Sequence, residues 1–409
     1  MSEHYESLPF EVPGFGRDVF DQILYTAFKL NASDISLQTG DYVVFMIHGK
    51  QTRASTRVLQ QSEVETIVNI LYEGPNGTTL IRQGMPIDKR YEIRPNRGER
   101  IGYRVNIIPA RIDGNDEGVS VTLRVLPKNP PSIFTQNVPA EIVENSLPKN
   151  GLVTIAGVTS SGKSTLISSV LRFAYEIDRD CQVTSCNRKI ATYEAPIEYI
   201  YDNIKTGAPK ISQTEIGGTS GLSSWGEAPR TAMRRALQIV LIGECRDRET
   251  MEGCIDMAQT GHTTLTTLHA GTVSGSFRRM VGLASSGDEG SVNSVTEKLL
   301  GSIRLMLVQS LVPKVGGGRV PLREWLVITK TLEDRLFECK PDAVAKELQK
   351  EVMKNGTSFG HTAVYLHKEG LITMSDACAY SGFNKSELLK LEVDDARFVP
   401  FTEDSVVYV

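Results

Sequence analysis

The stretch Gly151-Leu152-Val153-Thr154-Ile155-Ala156, followed at once by Gly157-Val158-Thr159-Ser160-Ser161-Gly162-Lys163-Ser164, decides the fold. The first half is a continuous apolar run of strand length. The second is a complete GxxxxGK[ST] loop, and it opens a segment from Ser164 to Tyr175 with helical apolar spacing. Glycines let such a backbone wrap so that successive N–H groups face a phosphate chain. The helix N-terminus adds a positive dipole and Lys163 a point charge for the β- and γ-phosphates. Gly157, Thr159, Ser160, Ser161, Gly162, Lys163, Ser164 and Thr165 are the residues expected to hold ATP, with the Ser164 hydroxyl placed for Mg²⁺.

Two more strand-sized runs, Lys189 to Tyr193 and Gln238 to Gly243, recur at helix-length intervals, the βα alternation of a buried parallel sheet. Chemistry-bearing side chains stand where these runs end. Glu244 follows Ile239-Val240-Leu241-Ile242-Gly243, where a second carboxylate can order Mg²⁺ or water beside a bound triphosphate. Glu194 and Glu198 lie four residues apart across Pro196. His262 and His269 bracket a threonine-rich strand; with no cysteine or third histidine nearby, their spacing points to sensing a phosphate or placing water rather than to a metal.

Upstream, Arg17 to Leu30 carries the i, i+3, i+4 pattern of an amphipathic helix, and Asp34 to Gln38, Asp41 to His48, Arg100 to Ile108 and Val119 to Leu126 read as strands parted by turn-rich pieces such as Asp113-Gly114-Asn115. The segment Pro127 to Pro131 is polar and proline-punctuated, as linkers are. Apolar spacing in Val295 to Leu311, Ala343 to Met353 and Asn384 to Leu391 predicts helices in the C-terminal third, and Gly316-Gly317-Gly318 marks a turn. A chain of 409 residues has room for two or three domains; 40% hydrophobic and 23% charged residues exclude wholesale disorder. The net charge of −4, with no long basic block, leaves no bulk electrostatic footprint for nucleic acid or anionic lipid. No apolar run approaches the length that spans a bilayer, Met1 to Phe15 lacks the pattern of a secretory signal, and the six cysteines include no CxxC pair, so reduced and mostly buried thiols in a cytoplasmic protein are expected.

These elements, in this order, resemble the secretion ATPase superfamily that includes type IV pilus retraction motors, type II secretion ATPases and the traffic ATPases of type IV secretion. Gly157 to Ser164 resembles its Walker A loop, Tyr193 to Glu198 its aspartate box, Leu241 to Asp247 its Walker B segment and Thr260 to His269 its histidine box. Ala32-Ser33-Asp34-Ile35, Tyr103-Arg104-Val105-Asn106, Arg111 and Leu123-Arg124-Val125-Leu126-Pro127 resemble its N-terminal segments, so the likeness covers most of the chain. Ala195, which gives EAPIE, Cys245, which gives GECRD, and the continuation Tyr199-Ile200-Tyr201-Asp202 look most like the DotB/TraJ ATPases of type IVB secretion and I-type conjugation systems. The two CxxC pairs usual in pilus-assembly and type II secretion ATPases are absent from the sequence.

The resemblance implies a PAS-like α+β N-terminal domain with its linker over residues 1–131, a RecA-like P-loop ATPase domain over 132–330 and a helical extension over 331–409. It further implies a cytoplasmic homo-hexamer, peripheral at the inner face of the cytoplasmic membrane, that works with the inner-membrane and cytoplasmic components of a secretion or conjugation channel without binding nucleic acid directly. Glu198 and Glu244 would flank the γ-phosphate and Mg²⁺, with Ser164 and Glu244 as metal ligands, Glu194 sharing the work at that edge, and Arg104, Arg111 and Arg124 as arginines that reach the phosphate from another domain or subunit. A pilus-retraction motor, whose catalytic elements are shared, and a nucleotide-gated scaffold with little turnover are the alternatives.

Overall fold

The computed structural model describes all residues except 1–7, 12–13, 113–114, 178–187, 203, 205–209, 218–220 and 406–409. Asp113, Gly114, Cys181 and Cys186 of the sequence reading lie outside the described residues. The chain forms two compact units. One takes the residues up to Asn129 together with Ala195–Ile200 and Glu215–Ser223; the other takes Pro130–Glu194, Tyr201–Thr214 and the remainder from Ser224.

The first unit is built on six strands, β1 (Ala32–Gln38), β2 (Val44–Ile47), β3 (Lys50–Arg53), β4 (Ile87–Ile93), β5 (Ile101–Ile112) and β6 (Asn115–Val125), with helices α1 (Arg17–Lys29), α2 (Gln61–Tyr72) and α3 (Gly77–Arg82). The strand order is β3-β2-β1-β6-β5-β4 and every pairing is antiparallel. The alternation in β5 and β6 sends Tyr103, Val105, Ile107, Val121 and Leu123 into a core against Phe20, Ile23 and Leu24 of α1, which the helical spacing of that segment requires.

The second unit is a seven-stranded sheet in the order β13-β12-β7-β11-β10-β8-β9, from β7 (Gly151–Ala156), β8 (Ile190–Glu194), β9 (Ser212–Glu215), β10 (Ile239–Ile242), β11 (Thr263–Leu268), β12 (Ile303–Pro313) and β13 (Arg319–Val327). The five strands β12, β7, β11, β10 and β8 run parallel, and β7, β10 and β11 are buried along their whole length, as a sheet covered on both faces demands. Helices α4 (Ala140–Asn145), α5 (Lys163–Ile177), α6 (Glu227–Ala232), α7 (Arg248–Gln259), α8 (Val273–Ala284) and α9 (Glu289–Ser302) punctuate these strands. A helical C-terminal region follows: α10 (Lys330–Phe337), α11 (Pro341–Lys354), α12 (Phe359–Lys368), α13 (Met374–Ser381) and the four-residue α14 (Lys385–Leu388).

Two expectations for the C-terminal third are corrected. The run Val295 to Leu311 is helical only through Ser302; from Ile303 it is the strand β12, buried on both faces between β7 and β13, where the continuous apolar run Leu305 to Val308 satisfies a helix and a strand template alike. Asn384 to Leu391 forms a single turn, not a longer helix. Gly316, Gly317 and Gly318 all take positive φ and reverse the chain between β12 and β13. The edge strand β4 carried no strand reading in the sequence.

Candidate active site

The carboxyl ends of β7, β11, β10 and β8 lie side by side, since Ala156 pairs with Leu268, Ile242 with Thr266 and Ile242 with Tyr193. The residues that follow these strands, Gly157, His269, Gly243–Glu244 and Glu194 at the tip of β8, therefore share one edge of the sheet. In open α/β sheets that edge is where ligands bind.

Between β7 and α5 the loop turns through Gly157 (φ 150°), Ser160 (φ 62°) and Gly162 (φ 84°). A β-carbon at Gly157 would run into the Gln309 carbonyl and the Ser161 hydroxyl, so only glycine lets the loop close onto β12. Val158, Thr159 and Ser160 are exposed, whereas Ser161 is buried and its Oγ has no partner. Lys163 Nζ donates to the carbonyls of Gly157 and Val158, each at 2.8 Å. Ser164 and Thr165, half-buried, stand in the first turn of α5. A close-packed loop, glycines where side chains would collide and an ammonium at its mouth fit a polyphosphate.

Beneath the loop lies a polar support that the motif did not announce. Gln309 Nε2 donates to Ser161 O at 2.8 Å, and Gln309 Oε1 accepts from Arg323 Nε at 2.9 Å. Arg323 Nη1 continues to Asn137 O at 3.0 Å. The guanidinium is fully enclosed, and loss of hydration pushes its pKa down to about 10. Next along β13, the carboxylate of the buried Glu324 accepts from Val273 N at 2.7 Å, at the start of α8, and burial raises its pKa. A glutamine inside the apolar stretch of β12, facing an Arg-Glu pair inside β13, was the available signal.

Glu244 is gripped at both oxygens: Arg246 Nη2 lies 2.7 Å from Oε2 and His269 Nε2 3.3 Å from Oε1. Thr267 Oγ1 donates to Gly243 O, and Gly243 N to Tyr193 O at 2.8 Å, which ties the three strand tips together. Glu194 accepts from Thr192 Oγ1 at 2.6 Å and Gln213 Nε2 at 3.4 Å. Cys245 and Cys254 are buried free thiols with their sulfurs 3.4 Å apart, and the neighbouring thiol together with burial pushes the Cys254 thiol well up.

His262 does not join this group. It precedes β11, its carbonyl accepts from Gly151 N at the start of β7, and its Nδ1 lies 3.1 Å from Met257 O. The six residues of β11 separate it from His269, a rise of about 23 Å over seven steps at 3.3 Å per residue. His262 lies at the opposite edge of the sheet from His269 and Glu244.

In the first unit Arg104 Nη1 stands 3.6 Å from Glu198 Oε1, and Arg124 Nε is 2.8 Å from Asp34 Oδ1. Arg111 is exposed near the end of β5. Among the described residues no group of three or more His, Cys, Asp or Glu gathers to form an all-protein metal cage. The Ser164 hydroxyl and the Glu244 carboxylate are hard oxygen donors, and Mg²⁺ typically takes one or two of these and completes its shell with phosphate and water. Among the described residues no helix is long and apolar enough to cross a membrane.

A family model described as type II/IV secretion system protein matches residues 14–354. The X-ray structure of the Legionella pneumophila ATPase DotB is similar with a TM-score of 0.82 and 37% identity, over 94% of this chain and 99% of that one. The crystal structure of the pilus retraction motor PilT with bound ADP gives a TM-score of 0.73 and 27% identity, over 90% and 98%. The type IV pilus ATPase PilT of Pseudomonas aeruginosa is 26% identical over 356 residues, 87% of this chain and 94% of the relative.

Proposed function

The chain belongs to the type II/IV secretion system protein family, and from that premise we propose that it is an ATP-hydrolysing motor, working as a homo-hexamer at the cytoplasmic face of a type IVB secretion or conjugation channel. The observation that carries the reading is the single sheet edge shared by the phosphate loop, Glu244 and His269. The subgroup is favoured by the EAPIE and GECRD segments and by the 37% identity to DotB along 94% of this chain. The likeness to the retraction motor PilT supports the second reading, in which the same engine pulls on a pilus.

In this mechanism Gly157 to Ser164 hold the triphosphate through main-chain N–H groups while Lys163 turns its ammonium to the terminal phosphates. Ser164 and Glu244 would hold Mg²⁺, which would supply neutralisation of the charge that develops on the phosphate oxygens. Glu198 orients the attacking water and accepts its proton at a carboxylate oxygen; Glu194 tunes that edge, and His269 holds the Glu244 carboxylate in place. Arg104, Arg111 and Arg124 are the cations that would signal the γ-phosphate to a neighbouring subunit.

The test is ATP turnover by the purified protein and by Glu244→Gln. An enzyme loses turnover in the variant by about 10²-fold or more while it keeps nucleotide affinity. A nucleotide-gated scaffold shows negligible turnover in both.

A further inference from the structure

β4 is an edge strand, and at Arg90 its outward main-chain N–H finds a partner. Arg90 N donates to Glu215 Oε1 at 2.9 Å, and burial raises the pKa of that carboxyl. Arg90 stands directly opposite Arg104 on β5, Arg104 opposite Arg124 on β6, and Arg124 opposite Asp34 on β1. Directly opposed residues share a face, so three arginines form one row across the sheet. Two of them reach the same short segment. Arg104 faces the Glu198 carboxylate, and Arg90 Nη1 donates to the carbonyls of Ile197 at 3.0 Å and Glu198 at 3.4 Å. The Arg90 side chain is only 11% exposed, with Glu92 Oε2 3.9 Å away. The space for it is made on β5, where a β-carbon at Gly102 would overlap the Arg90 guanidinium.

We infer that Arg90 is a positioning residue for Glu198: its guanidinium fixes the main chain of residues 197 and 198 and so sets where the Glu198 carboxylate stands, while Arg104 sets the direction of that carboxylate. The inference rests on the assignment of Glu198 to hydrolysis made above. A planar fork pinned by a glycine-lined slot has few alternative rotamers, which is what a fixed main-chain clamp requires. A carboxylate displaced by about 1 Å loses on the order of 10²-fold in rate while ground-state binding is untouched.

The experiment compares full-length wild type, Arg90→Met, Gly102→Ala, Glu198→Gln and the double variant Arg90→Met/Glu198→Gln, reading ATP turnover at saturation and the affinity for a fluorescent ATP analogue. Arg90→Met is expected to lose about 10- to 100-fold in kcat with affinity within about twofold of wild type, and the double variant to be no slower than Glu198→Gln alone. Gly102→Ala keeps the charge but moves the guanidinium, and shows the same selective loss even where Arg90→Met fails to fold. Near-wild-type kcat in Gly102→Ala and in folded Arg90→Met, with Glu198→Gln slow, would overturn the inference alone, as would losses that multiply in the double variant. Wild-type turnover in Glu198→Gln would remove the underlying assignment, and the inference with it.

Discussion

His269 Nε2 stands 3.3 Å from Glu244 Oε1, across the tips of two adjacent parallel strands. The other carboxylate oxygen is taken by Arg246, so Glu244 is oriented from both sides. If His269 holds this carboxylate for hydrolysis, His269→Ala lowers kcat by about 10²-fold while the ATP dissociation constant changes by less than about threefold. A matched loss of binding and turnover would instead make His269 a ground-state ligand. Steady-state kinetics beside equilibrium nucleotide titration distinguishes the two.

The support under the phosphate loop makes a different prediction. Gln309→Leu leaves Ser161 O without its donor and the Nε of the enclosed Arg323 without its acceptor, while Arg323 Nη1 keeps Asn137 O. Orphaning a buried polar group costs about 1 to 3 kcal/mol. Because one of the orphaned atoms belongs to the loop itself, the ATP dissociation constant rises about tenfold and the melting temperature falls. Unchanged nucleotide affinity would show that the loop keeps its form without this contact.

A pH effect on stability arises far from the nucleotide. His361 closes a capping box at the start of α12: Ser358 N donates to its Nδ1 at 3.1 Å, and His361 N to Ser358 Oγ at 3.2 Å. A ring nitrogen that accepts a hydrogen bond is unprotonated, and desolvation, followed by the charge of Arg397, lowers the His361 pKa from its ordinary 6.5. The unfolded chain then binds the proton more readily, so stability increases with pH through this window. Its contribution is complete above pH 6.5 and is lost as the pH falls through the folded pKa. Thermal melts between pH 7 and pH 5 are expected to fall more steeply for wild type than for His361→Gln. Parallel curves would exclude the capping histidine as the source.

The elements that were legible in the sequence are those in which local pattern and tertiary role agree. β7 with its loop could be read because an all-apolar run, a glycine-rich turn and a helix follow one another, and each demands the next. β12 could not be told from a helix because it is buried on both faces and carries no period-2 alternation. The separation of His262 from His269 was not legible in their spacing alone, since it takes the strand running between them to carry the two histidines to opposite edges of the sheet. Gln309, Arg323 and Arg90 belong to no short-range pattern. Their importance comes from partners 148, 14 and 107 positions away in sequence, which only the folded chain brings together.

The most direct measurement of the central claim is a structure of the full chain with a nonhydrolysable ATP analogue and Mg²⁺. Lys163 Nζ now lies 2.8 Å from both Gly157 O and Val158 O. With the analogue bound it is expected to leave at least one of these carbonyls for the terminal phosphates, with Ser164 Oγ and the Glu244 carboxylate turned toward the ion. A triphosphate bound elsewhere, or one at the loop with Lys163 still on both carbonyls and Glu244 remote from the ion, would contradict the claim.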